Sequence, residues 1–107
     1  LGLLPFAFLA AVSVRVLQGS STVAMITAAG ITSALITSPL GDFHTALLVI
    51  AIASGASILS HVNDSGFWLV SNYLGMNEKQ TFSSWTLMTT VLALTGFSTA
   101  CLISVLF

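Results

Sequence analysis

The sequence predicts an all-α membrane protein. Three observations carry this. Hydrophobic residues make up 56% of the 107 residues and charged residues only 5%, where a soluble domain carries roughly a quarter charged residues. Mean hydropathy is +1.06. The segments 16–41, 43–63 and 80–107, of 26, 21 and 28 residues, contain no Asp, Glu, Lys or Arg. Each is as long as the roughly 20 apolar residues that cross a ~30 Å hydrocarbon core. The five charges (Arg15, Asp42, Asp64, Glu78 and Lys79) are too few to cover a soluble surface. A net charge of −1 gives no electrostatic footprint for nucleic acid.

The elements follow from apolar runs and their interruptions. Residues 1–17 are apolar with Pro5 in the first turn, where proline is tolerated, so a helix is expected there. Gln18-Gly19-Ser20-Ser21-Thr22 interrupts it. Gly19 suits the position after a helix and Ser20 or Ser21 suits an N-cap, so a second helix is expected over 22–37. Ser38-Pro39-Leu40-Gly41 is a turn, with Asp42 able to cap a third helix over 43–60. His61-Val62-Asn63-Asp64-Ser65-Gly66 is a second polar interruption, followed by a short apolar helix over 67–74 that Gly75 ends. Asn77 and Gln80 have capping-box spacing. Trp85 suits a membrane interface, and 86–107 is a full-length span. Gly30, Gly55 and Gly96 are candidate close-packing points between helices. The chain begins and ends inside apolar sequence and is expected to be a piece of a larger membrane protein.

The two interruptions carry the chemistry. If 1–37 is a pair of complete spans, 18–22 lies at the membrane surface. If it is a re-entrant hairpin, 18–22 lies near the midplane. Unpaired backbone groups are not tolerated in hydrocarbon unless they are buried in protein or line a cavity. A tip at Gly19, Ser20, Ser21 and Thr22 would stand at a helix N-terminus, whose free N–H groups and partial positive charge suit a carboxylate. Arg15 snorkels in the first case and needs a partner in the second. In the second interruption, His61 and Asp64 are two ionisable groups joined by Asn63 and Ser65. A helix broken there opposes free carbonyls to free amides, a device used for substrate and ion sites. The plainer alternative makes Asp64 a surface cap and His61 a single hydrogen-bonding group.

No phosphate-binding loop, dinucleotide fingerprint, zinc-ligand spacing or nucleophile elbow occurs, so no catalytic residue, metal or cofactor is expected. The lone Cys101 has no partner for a disulfide.

The stretch Ser60-His61-Val62-Asn63-Asp64-Ser65-Gly66-Phe67-Trp68 resembles the hallmark of the gluconate permease family of proton symporters. A second stretch from Arg15 to Ala24, with Thr27-Ala28-Ala29-Gly30 after it, is similar to another segment of that family. Trp85-Thr86 before the last span agrees. The resemblance covers essentially all 107 residues, as the C-terminal portion of a longer, multi-pass carrier of the bacterial inner membrane. It implies a fragment of an ion-transporter-like fold: a helical hairpin over 1–37 with its tip at 18–22, a broken helix over 43–74 with its break at 61–66, and a final transmembrane helix over 78–107. It implies transport of gluconate or a related small hydroxy-carboxylate with protons. Gly19, Ser20, Ser21, Thr22, Asn63 and Ser65 would bind substrate, His61 or Asp64 would carry the proton, and Arg15 would be a counter-charge. The partners implied are the carboxylate substrate, protons, membrane lipid and the remaining N-terminal part of the same transporter; a homo-oligomer is compatible and nucleic acid is not. The alternative from another class is a structural membrane subunit that packs against partner helices and transports nothing.

Overall fold

The computed structural model describes residues 3–36 and 41–106. Among the described residues every regular element is helical, without strands: α1 (Leu3–Gln18), α2 (Ser21–Leu35), α3 (Asp42–Ala56), α4 (Ser65–Leu74), α5 (Glu78–Thr81), a π-turn (Phe82–Thr86) and α6 (Leu87–Leu106). The last three form one continuous helix, Glu78–Leu106. Except for Gly41, the turn expected at 38–41 lies outside the described residues.

Helix α1 packs against α2 and α3, and α3 packs in turn against α6. The buried residues explain this order. On α1, Leu4, Ala7, Phe8 and Ala11 recur at three- and four-residue steps, which draws one stripe on a helix. On α3 the stripe is Leu47, Leu48, Ala51, Ile52, Gly55 and Ala56; on α2 it is Ala24, Ala28 and Thr32. Small residues dominate these stripes, so the backbones can approach closely, as in helix packing within membranes. Phe8 stacks on Phe97 of α6 with ring centroids 4.0 Å apart, joining α1 to the last helix.

Two of the three glycines expected to serve close packing do so. A Cβ on Gly55 would meet the Phe8 carbonyl oxygen at 2.6 Å and Ala11 Cβ at 2.9 Å, and one on Gly96 would run into Ser54 Oγ. Gly30 differs: nothing lies within 4 Å of its would-be Cβ, because it stands away from the α2 stripe.

Boundaries differ from expectation around the second interruption, where α4 also begins at Ser65 and not at 67, and in the number of spans. The third helix ends at Ala56 and not near Ser60. Ser57 Oγ donates to the Ala53 carbonyl and the Ser57 amide to that of Ser54. Leu59 then takes a positive φ of 46°, which a helix cannot continue through. The second interruption therefore runs from 57 to 64. The second difference concerns spans. Three uncharged runs are long enough to cross a membrane, but only Glu78–Leu106 forms a helix long enough among the described residues. The run 16–41 is cut at Gly19-Ser20 and the run 43–63 at Ala56. Uncharged length bounds a span but does not show where backbone hydrogen bonding stops.

Many large apolar side chains face outward, among them Leu9, Leu17, Tyr73, Leu92 and Val105. A surface this apolar needs lipid or other protein against it.

Gly55→Leu should force α1 and α3 apart and lower stability by about 1–3 kcal/mol, the usual cost of overpacking. Gly30→Ala should leave stability unchanged or slightly raised. Thermal melts of the two purified variants in detergent check this difference.

Candidate functional site

The site grows from two helix interruptions that meet. The first is the connection between α1 and α2. The Gly19 amide donates to the Arg15 carbonyl at 2.8 Å, and Gly19 takes a φ of 74°, a left-handed conformation that favours glycine. Ser20 then caps α2, its hydroxyl accepting from the Val23 amide at 3.2 Å. The next amides, of Ser21 and Thr22, belong to the first turn, where a helix supplies no acceptor.

The second interruption ends at Asp64, which caps α4 by accepting from the Gly66 amide at 3.2 Å. The cap does more than close a helix. Asp64 Oδ2 also accepts from Arg15 Nη2 at 2.8 Å and from Ser60 Oγ at 2.5 Å. Arg15 is 3% exposed. Its Nη1 donates to the Gly19 carbonyl at 3.0 Å and its Nε to the Ile58 carbonyl at 3.1 Å. The guanidinium thus satisfies an ionised carboxylate and two carbonyls that no helix uses. A charge at such burial requires this kind of pairing.

The two interruptions also touch directly. A Cβ at Gly19 would run into the backbone carbonyl of Asn63. Asn63 Nδ2 donates to the Val16 carbonyl at 2.9 Å, and His61 Nε2 lies 3.2 Å from the same oxygen. These contacts bind the last turn of α1 to the break.

A cavity of about 500 Å³ opens beside the junction. Of the residues singled out in the sequence, Arg15, Gly19, Ser20, Ser21, Thr22, Asp64 and Ser65 line it. His61 and Asn63 are not among the lining residues; their side chains turn to Val16 instead. Ser57, Trp85 and Thr89 line the cavity too and were not singled out as site residues.

Trp85 departs most from expectation. Its indole N–H donates inward to Ser60 Oγ at 2.8 Å. Thr86 Oγ1 donates to the Ser60 carbonyl, and the Ser60 amide donates to Thr89 Oγ1 at 3.1 Å. Trp85 and Thr86 lie in the π-turn at Phe82–Thr86, and Thr89 lies just beyond it. Such turns recur at functional sites. A short polar stretch, Ser83-Ser84-Trp85-Thr86, is the only trace of it in the sequence. The capping box at Asn77 and Gln80 forms as its spacing implies.

A helical membrane protein is defined by these features: apolar helices interrupted at two adjoining points around a hydroxyl-lined cavity. Residues 1–106 match the GntP family permease profile, and the chain belongs to that family. It is 47% identical over 84% of its length to a gluconate permease of Pseudomonas aeruginosa, covering 20% of that protein. It is 42% identical over 83% of its length to a low-affinity gluconate transporter of Escherichia coli, covering 20% of that protein. The inner membrane permease YgbN of Escherichia coli is 41% identical over 91% of this chain, which covers 21% of it. The chain therefore spans about a fifth of the length of these relatives, which are transporters and not enzymes. No solved structure matches. Family membership and the long apolar helix assign the chain to the bacterial inner membrane.

Arg15→Gln should strand the Asp64 carboxylate and destabilise the fold by about 3–5 kcal/mol, as expected when one partner of a buried pair is removed. The double variant Arg15→Gln/Asp64→Asn should recover part of that loss. Denaturant unfolding of the three proteins in micelles gives the comparison.

Proposed function

We propose that this chain forms part of a carrier that moves gluconate or a related small hydroxy-carboxylate across the inner membrane together with protons. The observation that carries the proposal is the meeting of both interruptions at one cavity around the ion pair of buried Arg15 and half-buried Asp64. Relatives named for gluconate supply the substrate class.

The length of α2 favours a re-entrant hairpin. At 1.5 Å per residue, its 15 residues between the Ser20 and Ile36 caps rise only about 22 Å. That falls short of the ~30 Å core. In this reading the tip over 18–22 lies inside the membrane and lines a polar cavity, the setting in which non-helical backbone is tolerated there. The helix pair α3 and α4 is then the broken helix, and Glu78–Leu106 the span that supports it.

The first-turn amides of α2 and the hydroxyls of Ser20, Ser21 and Thr22 receive the substrate carboxylate. A helix N-terminus attracts an anion and presents donors to it. Ser65, across the cavity, meets the substrate hydroxyls. Asp64 carries the coupled proton, because it lines the cavity and is held by Arg15. His61 and Asn63 serve by pinning the hairpin to the break through Val16. Arg15 is the counter-charge: when Asp64 is protonated, the guanidinium is released to a carboxylate, and the net charge of the site is conserved.

In full-length protein reconstituted into proteoliposomes, Asp64→Asn should lower proton-driven gluconate uptake by roughly tenfold or more, as loss of an ionised group bonded to a cation implies. The remaining uptake should no longer respond to a pH gradient. Uptake that keeps its full response to the gradient would remove Asp64 from the mechanism. A cysteine at Ser21 should label with a thiol reagent in empty vesicles and be protected by gluconate. Equal labelling with and without gluconate would point to a surface turn in a structural subunit.

A further inference from the structure

Asp64 does not meet Arg15 unaided. Its Oδ2 takes two donors, Arg15 Nη2 at 2.8 Å and Ser60 Oγ at 2.5 Å, while Oδ1 takes the Gly66 amide at 3.2 Å. Ser60 is 1% exposed. Its hydroxyl has one hydrogen and can both donate and accept, whereas an indole N–H can only donate. Since Trp85 Nε1 donates to Ser60 Oγ at 2.8 Å, the indole occupies the acceptor side of the hydroxyl. Its single hydrogen is left for Asp64. The Ser60 backbone cannot turn away, because Thr86 and Thr89 hold its carbonyl and amide.

We propose that Ser60 and Trp85 are positioning residues that tie release of Arg15 to protonation of Asp64. The inference rests on the carrier reading above. While the hydroxyl of Ser60 points at Oδ2, the carboxylate is fixed in the orientation that engages Arg15. A proton arriving from water in the cavity adds to a carboxylate oxygen and forms a new O–H bond. The Arg15–Asp64 ion pair then opens, and the guanidinium pairs with the incoming substrate carboxylate. One proton and one carboxylate enter together, so the site is neutral before and after. Without the Ser60 donor, only the longer Gly66 bond and Arg15 itself hold the Asp64 side chain, and Oδ2 can swing away from the guanidinium while still ionised. Arg15 can then pass to substrate with no proton taken up, and transport slips. Trp85 acts only through Ser60 in this scheme.

The test uses full-length protein in proteoliposomes and compares gluconate accumulation driven by a proton gradient with gluconate counterflow in the absence of one. For Ser60→Ala the ratio of accumulation to counterflow should fall roughly tenfold, the scale of one hydrogen bond to a charged group. Ser60→Thr, which keeps the hydroxyl, should restore it. Trp85→Phe should lower the ratio on its own and change it no further in the Ser60→Ala background. A merely structural role would lower both activities together, leave the ratio constant, and overturn the proposal. An additional loss from Trp85→Phe in the Ser60→Ala background would overturn it equally. Asp64→Asn separates this inference from its foundation. If Asp64→Asn keeps gradient-driven accumulation, Asp64 is not the proton-coupling group and the foundation of the inference fails; if it abolishes accumulation while Ser60→Ala keeps its ratio, the positioning role alone fails.

Discussion

The junction of this structure depends on one guanidinium. Arg15 has five donors in a rigid fork, and three acceptors on separate segments converge on it: the Gly19 carbonyl at the α1–α2 connection, the Ile58 carbonyl beyond α3, and the Asp64 carboxylate at the start of α4. Each segment is a place where a helix has stopped and left polar groups unpaired. Apolar packing alone would bring α1 against α3, as the Phe8, Ala11 and Gly55 contacts do, but it could not satisfy these groups. An uncompensated charge at this burial would cost several kcal/mol. The same pairing that makes the interruptions tolerable therefore makes them adjacent.

Adjacency also constrains the backbone. Gly19 combines a positive φ with direct contact against the Asn63 carbonyl, so a side chain there would meet both strain and collision. His61 and Asn63 converge on the Val16 carbonyl. Val16 lies in the last turn of α1, where carbonyls lack helical partners. Polar residues that look like ligands in the sequence are in part the means of closing a helix end without water. The polar lining of the cavity is left to hydroxyls, the first turn of α2 and the Arg15–Asp64 pair, with Leu69, Trp85 and Leu92 beside them.

Local chemistry made much of this legible before any coordinates. Gly19 after α1, an N-cap at Ser20 or Ser21 (it is Ser20), Gly75 after α4 and the Asn77–Gln80 box all follow from what each residue does to its own backbone within four residues, and Asp64 as a cap is one of two readings its sequence allows. The family resemblance also rested on contiguous residues. What could not be read is what depends on partners far along the chain. The early end of α3 at Ala56 and the left-handed Leu59 follow from how the break is folded against α1. The π-turn has no strong local signature, and its purpose emerges only when Trp85, Thr86 and Thr89 are seen gripping Ser60, 25 to 29 residues earlier. Arg15 could be recognised as needing a partner if its interruption is buried, but nothing in the sequence names Asp64, 49 positions away, as that partner.

The claim on which all else turns is that the α1–α2 connection and the start of α4 are neighbours across a single cavity in the bilayer. Spin labels at Thr22 and Ser65, in full-length protein in lipid nanodiscs, measure this directly through their dipolar coupling. Strong broadening of the doubly labelled spectrum relative to the two single labels is the expected result. Two labels that show no coupling, each behaving as it does alone, would contradict it.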